Sequence, residues 1–198
     1  MTCPGSAIKA TAPTELDTPR MRGEPLGLEH QAEMADLTLD ARVYRTLWPW
    51  SYPPTRADVR ASLADKRAHW ERYGFGLWLL RDRATGELVG RGGLQYTDAL
   101  GGFAVEAAWA IVPERWGQGL ATELAQASVR VGFDSLRLNE IIAITLPDNA
   151  ASRRVMEKAG FAYDREIVHV GLAHVLYRRR PDADLGVKRD PQSRFSPR

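Results

Sequence analysis

The chain has 198 residues, 44% of them hydrophobic and 26% charged, a balance that fits one globular domain with a sizeable core. No apolar run approaches a membrane span, and the first twenty residues lack the apolar stretch of a secretory signal. Cys3 is the single cysteine, so no intrachain disulfide can form, and a cytoplasmic protein is the expectation. The net charge of +2 hides an asymmetry: from Arg178 onward seven basic residues face three acidic ones, which puts +4 there and −2 on the rest. The basic pI near 8.8 therefore reads as the property of a tail, and it argues against a nucleic-acid-binding body and for no specific nucleic-acid partner.

Residues 1–19 are rich in Thr, Pro and Ala, show no periodicity, and are expected to be disordered. A first strand is expected at Gly23–Glu29 and a short helix at Gln31–Leu39, where Ala32, Ala35 and Leu39 fall at helical spacing. An aromatic, proline-broken loop occupies Leu47–Pro54. Thr55 then opens a helix to about Arg72, with Thr55-x-x-Asp58 as a capping-box signal. Phe75–Arg81 and Leu88–Gln95 read as an antiparallel pair around an Ala84-Thr85-Gly86 turn. After a loop at Tyr96–Gly102, Phe103–Val112 is a strand stopped by Pro113. A helix follows from Gly119 to about Gly132, with Leu120, Leu124, Ala127 and Val131 on one stripe. Glu140–Thr145 is a buried strand. Asn149 caps a helix that Gly160 ends, and two closing strands, Phe161–Val170 and Leu172–Tyr177, meet at Gly171.

The order β α α β β β α β α β β predicts an α/β (α+β) single domain: a mixed, mostly antiparallel sheet with helices on both faces. The expected division is a disordered segment 1–19, a catalytic domain 20–177 and a basic disordered tail 178–198.

The stretch Val105–Gly132 carries the strongest chemical signal. It is a strand, a proline turn and a glycine-rich loop that runs straight into a helix. A helix N-terminus offers unpaired N–H groups and the positive end of the dipole, so this arrangement suits a phosphate-bearing ligand. A Walker loop is excluded because no Gly-Lys-Ser/Thr follows. A Rossmann fingerprint is excluded because Thr122 stands where its third glycine belongs.

The longer string Ile111-Val112-Pro113-Glu114-Arg115-Trp116-Gly117-Gln118-Gly119-Leu120-Ala121-Thr122-Glu123 resembles the coenzyme A loop of the GNAT N-acetyltransferase superfamily, in its RimJ/RimL-like branch. Asn149-Ala150-Ala151-Ser152-Arg153-Arg154-Val155-Met156-Glu157-Lys158-Ala159-Gly160-Phe161 is similar to the same family's Asn-x-x-Ser…Glu-Lys-x-Gly-Phe helix. The resemblance spans roughly Arg20–Tyr177. Gly119 and Ala121 fit the last two fixed positions of the family loop. Trp116 stands where Gln or Arg is usual, as is common in this branch.

The resemblance implies an acyl-CoA N-acyltransferase fold and transfer of an acetyl group from acetyl-CoA to a primary amine, on a protein N-terminus or a small molecule. It implies pyrophosphate contacts from Trp116, Gly117, Gln118, Gly119, Leu120 and Ala121, and pantetheine contacts from the backbone of Ile111 and Val112 and from Asn149. It implies a sheet opened between Phe103–Val112 and Glu140–Thr145, with the coenzyme in the gap. A homodimer is common in the branch, and no membrane partner is implied.

Glu106 is the candidate general base, because an amine must lose a proton to attack. It shares a strand face with Ala104, Ala108, Ala110 and Val112, which leaves room beside the carboxylate. Ser152 is the candidate contact or weak acid for the thiolate, while a local backbone bond at the helix start explains it equally well. Met156 stands where many members of the superfamily carry a Tyr. It keeps open a second reading, a coenzyme-binding module that has lost catalysis. Arg153 and Arg154 are within reach of the coenzyme's 3′-phosphate by the resemblance, but read better as a solvated helix face. His30, His69, His169 and His174 show no metal spacing, so no metal is expected.

Overall fold

The computed structural model describes residues 12–47 and 53–181. The strands and helices are β1 (Leu16–Asp17), β2 (Met21–Pro25), α1 (Gln31–Leu39), α2 (Ala41–Leu47), α3 (Arg56–Tyr73), β3 (Leu77–Asp82), β4 (Leu88–Thr97), β5 (Ala104–Ile111), α4 (Leu120–Arg130), β6 (Ile141–Thr145), α5 (Ala150–Lys158), β7 (Ala162–His169) and β8 (Leu172–Arg179). The strands form one mixed sheet in the order β1-β2-β3-β4-β5-β6-β8-β7.

Local chemistry sets the helix boundaries. Thr55 accepts from the Asp58 N–H while the Asp58 carboxylate accepts from the Thr55 N–H, so the capping box closes in both directions. Gly74, with φ 68°, ends α3 in the left-handed conformation. Asn149 caps α5 through the Ser152 N–H.

The helices divide between the faces. Met34, Ala35 and Leu37 of α1, Val43 of α2, and Val59 and Leu63 of α3 bury against Leu26, Leu77, Leu79 and Ala110. Leu120, Leu124 and Ala127 of α4 and Met156 of α5 bury against Trp78, Leu80, Val105, Ala107 and Ile111 on the opposite face. Alternation along β5 thus sends Glu106, Ala108 and Ala110 toward α1–α3 and Ala107 and Ile111 toward α4 and α5.

The break in the sheet positions the site. Among the described residues β5 and β6 form the one parallel pairing, and it consists of a single residue pair, Glu106 with Ile142. Beyond it β5 stays bonded to β4 as far as Gly90–Ile111, and β6 stays bonded to β8 as far as Thr145–Val175. The two halves of the sheet splay apart past Glu106.

Several boundaries differ from the sequence expectation. The strand expected at Gly23–Glu29 lies instead at Met21–Pro25 and is preceded by β1, and Leu28–His30 is a 3-10 turn in which the His30 Nδ1 accepts from the Gly27 N–H. Residues expected to be disordered instead pack: Leu16 pairs with Gly23, Ala12 donates to the Gly74 carbonyl, and the Thr14 carbonyl accepts from the Trp78 indole. α2 was not expected at all. At the other end Arg178 and Arg179 complete β8, where Arg178 pairs with Glu140 and, at 2.9 Å, with Asp164. Part of the basic cluster assigned to a tail therefore belongs to the sheet.

Candidate active site

The opening between β5 and β6 is a cavity of about 590 Å³, within the range of small-molecule sites. Its walls include Glu106 and Ala107–Ile111 of β5, Ile144 and Thr145 of β6, Trp116, Gly117, Gly119, Leu120 and Ala121 at the start of α4, and Asn149, Ser152 and Val155 of α5. Nine of the residues singled out from the sequence therefore surround one space. Two do not. Val112 and Gln118 are absent from its lining.

The reason for Val112 is visible in its backbone. Its N–H donates to the Val89 carbonyl and its carbonyl accepts from the Arg115 N–H, so neither group is left for a ligand. Antiparallel alternation then turns the backbone groups of Trp109 and Ile111 toward the gap. The Ile111 carbonyl already accepts from the Trp116 indole at 2.7 Å. That bond fixes the half-exposed ring across the mouth of the strand.

The glycine loop is braced from outside. Arg115 pairs with Asp82 at 2.5 Å and donates to the Gln118 side chain, and it holds the Asp82 carboxyl below the usual carboxylate range. Arg20 pairs with Glu123 at 2.6 Å and donates to the Gln118 carbonyl. Gln118 thus looks outward, toward the braces. Gly117 and Gly119 both have positive φ, 76° and 78°, which only glycine adopts cheaply. A Cβ at Gly117 would meet nothing within 4 Å, so backbone conformation and not crowding demands glycine there. Gly119 is the N-cap of α4 and has no side chain to satisfy the first N–H groups of the helix. They remain available to an anionic group. Shape and donors together fit an extended ligand carrying a pyrophosphate.

A second cavity of about 340 Å³ lies on the α3 side of the sheet. It shares Leu47, Glu106, Ala108 and Trp109 with the first, so the two meet at Glu106. Of the small face read from the sequence, Ala108 borders this room, while Ala110 and Val112 pack in the α1–α3 core. Leu47 and Pro54 border the second cavity, whereas residues 48–52 of the aromatic loop lie outside the described residues.

Glu106 is partly buried, and burial pushes its carboxyl up to about 7, against the opposing effects of a 3.4 Å hydrogen bond from Gln95 and the charges of Lys66 and Arg91. Ser152 lines the first cavity, and its N–H is held by Asn149. Met156 is buried in the core and does not reach the cavity. His169 and His174, for which the sequence shows no metal spacing, both line the opening, with ring centroids 5.7 Å apart. The two-residue turn Val170-Gly171 brings them there, with Val170 at φ 46°. Lys66, Arg91 and Gln95 were not foreseen either. Arg91 and Gln95 alternate along β4, and the register that sets them beside Ala110 and Glu106 is a tertiary fact.

The fold and the site define a class: a splayed mixed sheet with a glycine-rich helix start at the gap and a carboxylate at its apex. The family described as acetyltransferase (GNAT) domain matches residues 20–162, and the chain belongs to that family of acetyl-CoA-dependent N-acetyltransferases. Among curated proteins the chain is similar to the uncharacterized protein YkkB of Bacillus subtilis, 30% identical over 130 residues, 61% of this chain and 76% of YkkB. Among solved structures it is similar to a putative GNAT-family acetyltransferase from Bordetella pertussis, with a TM-score of 0.73 and 26% identity over 84% of this chain and 99% of that one. It also shares its fold with RimL, a ribosomal L7/L12 alpha-N-protein acetyltransferase solved with coenzyme A, at a TM-score of 0.70 and 17% identity, over 86% of this chain and 99% of that one. Among the described residues no helix is long and apolar enough to cross a membrane, and no group of three or more His, Cys, Asp or Glu could hold a metal ion.

Proposed function

We propose that the chain moves the acetyl group of acetyl-CoA directly onto a primary amine, with Glu106 as general base. The observation that carries this reading is the position of Glu106 at the junction of two cavities. The gap between β5 and β6 is shaped for the coenzyme, and the α3-side cavity for the amine. The solved RimL complex with coenzyme A supports the first assignment by likeness of fold.

The amine nitrogen attacks the thioester carbonyl carbon. The carbon–sulfur bond breaks, and an N-acetyl amide and coenzyme A thiol result. One proton leaves the nitrogen for Glu106, directly or through one water, and one proton returns to sulfur. A carboxyl held near 7 suits the first task, because it is substantially ionised at neutral pH yet basic enough to accept a proton. Ser152, on the first turn of α5, is the group offered to the sulfur. The N–H groups at the start of α4 hold the pyrophosphate, which anchors the reacting end without taking part in chemistry. Positioning of the two reactants supplies up to about 7–11 kcal/mol and acid–base catalysis about 3–5 kcal/mol.

The test is thiol release from acetyl-CoA in the presence of an amine panel, with mass spectrometry of the products. Equal amounts of free thiol and N-acetyl amide are expected. Thiol release without an acetylated amine, across peptides, amino acids and small amines, refutes the reading.

A further inference from the structure

The α3-side cavity holds two cations and two carboxylates that do not form close ion pairs with each other. Lys66 of α3 and Arg91 of β4 both line it, with Gln95 and Glu106 beyond them. Asp58 and Ser62 continue the helix face that Lys66 stands on, at one-turn intervals. Among the described residues neither Lys66 nor Arg91 has an ion-pair partner within 4 Å. Cationic side chains that turn inward are ordinarily paired, and long ones ordinarily carry their charge out to water. Here burial pulls both below their ordinary pKa values and Arg91 adds repulsion at Lys66, while the charge of Glu106 opposes the shift at both.

Gln95 supplies the complementary half. Its amide nitrogen faces Glu106, which sets the orientation of the amide. Its Oε1 is buried with no hydrogen-bond partner. A buried acceptor left open destabilises the fold unless a ligand fills it. The cavity therefore presents two cations that share the field of Glu106 but hold no close ion pair and, beside them, an open acceptor next to that carboxylate.

We propose that the acceptor is a small zwitterion of the amino-acid type, its carboxylate held by Lys66 and Arg91 and its amine presented to Gln95 Oε1 and Glu106. This deepens the acetyl-transfer reading and rests on it. At about 340 Å³ the cavity is at the small end of ligand sites, which favours a free amino acid over a peptide chain. Lys66 and Arg91 are specificity residues here, not catalytic ones.

The experiment uses the full chain and three matched series: free amino acids, their carboxamides and the corresponding amines without a carboxyl group. Both kcat/KM with acetyl-CoA and binding without it, by calorimetry, are measured. The free acids are expected to exceed their carboxamides by at least about tenfold in both readouts, as loss of a hydrogen bond to a charged group would give. Lys66→Met and Arg91→Met keep the apolar stems and should each shrink that ratio, whereas Lys66→Arg should preserve it. Equal use of acids, carboxamides and plain amines overturns the zwitterion assignment while leaving acetyl transfer intact, as does acetylation of peptide N-termini alone. Survival of the ratio in both Met variants also overturns it. Binding of free acids that depends on Lys66 and Arg91, with no acetylation in any series, upholds the pocket and refutes the transfer reading.

Discussion

Replacing Glu106 with Gln keeps the shape of the side chain and removes its charge and basicity. Two effects of opposite sign follow. The first is on rate. With its carboxyl near 7, Glu106 is about 90% ionised at pH 8 and about 10% at pH 6, so the contribution of the base changes about tenfold across that window. The ratio of wild-type to Glu106→Gln kcat, measured on one acceptor so that the acceptor's own titration cancels, should be about 10²–10⁴ at pH 8. It should fall toward pH 6 by about a factor of ten. The second effect is on stability. A carboxyl whose folded pKa lies above its unfolded value of 4.5 holds extra protons in the native state, so the native state loses stability as pH rises from 4.5 to 7. Glu106→Gln removes that loss and should raise stability at pH 8 by at most about 3 kcal/mol, with no gain near pH 4. Chemical denaturation at the two pH values reads this. A variant that is slower yet more stable is the signature of a residue kept for chemistry. A rate ratio that stays near one, or one that does not change with pH, refutes Glu106 as the base.

Gly117→Ala places a side chain in open space but forces it into a left-handed conformation, at about 1–2 kcal/mol. A lower melting temperature with weaker coenzyme A binding is expected, and unchanged binding would detach this loop from the coenzyme. Ser152→Ala should lower kcat more than it raises the dissociation constant for coenzyme A, and the reverse pattern would make Ser152 a binding residue. His69 is held neutral: its Nδ1 faces the Phe75 carbonyl at 2.8 Å and its Nε2 accepts from the Tyr96 N–H at 3.0 Å. Burial lowers its pKa, so its contribution is present above the unfolded value of 6.5 and is lost as pH falls through the lower folded value. The urea midpoint should drop on acidification below about 6.5, and His69→Gln should flatten that drop. An equally steep profile in the variant would assign the acid sensitivity elsewhere.

Signals that act over three or four residues were legible in the sequence. Thr55 and Asp58 announced α3, Asn149 announced α5, and the glycine pair ahead of Leu120 announced the start of α4. What was hidden depends on partners far along the chain. Arg178 looked like the start of a solvated tail because Glu140 and Asp164 become its neighbours only in the folded sheet. Val112 looked like an edge donor until its pairing with Val89 was seen. α2 has only Val43 buried and gives no amphipathic stripe to read. The cationic lining of the α3-side cavity needs the β4–β5 register and the face of α3 together, and neither is local.

In the proposed reaction, coenzyme and acceptor enter from opposite sides of one splayed sheet and meet at Glu106. Hydrogen exchange of the full chain with and without acetyl-CoA distinguishes the two sides. Protection is predicted at the amides of Trp109 and Ile111 and across 117–121, with the α3 face of the second cavity unchanged until an acceptor is added. Protection along α3 on acetyl-CoA alone, with 117–121 unchanged, would contradict it.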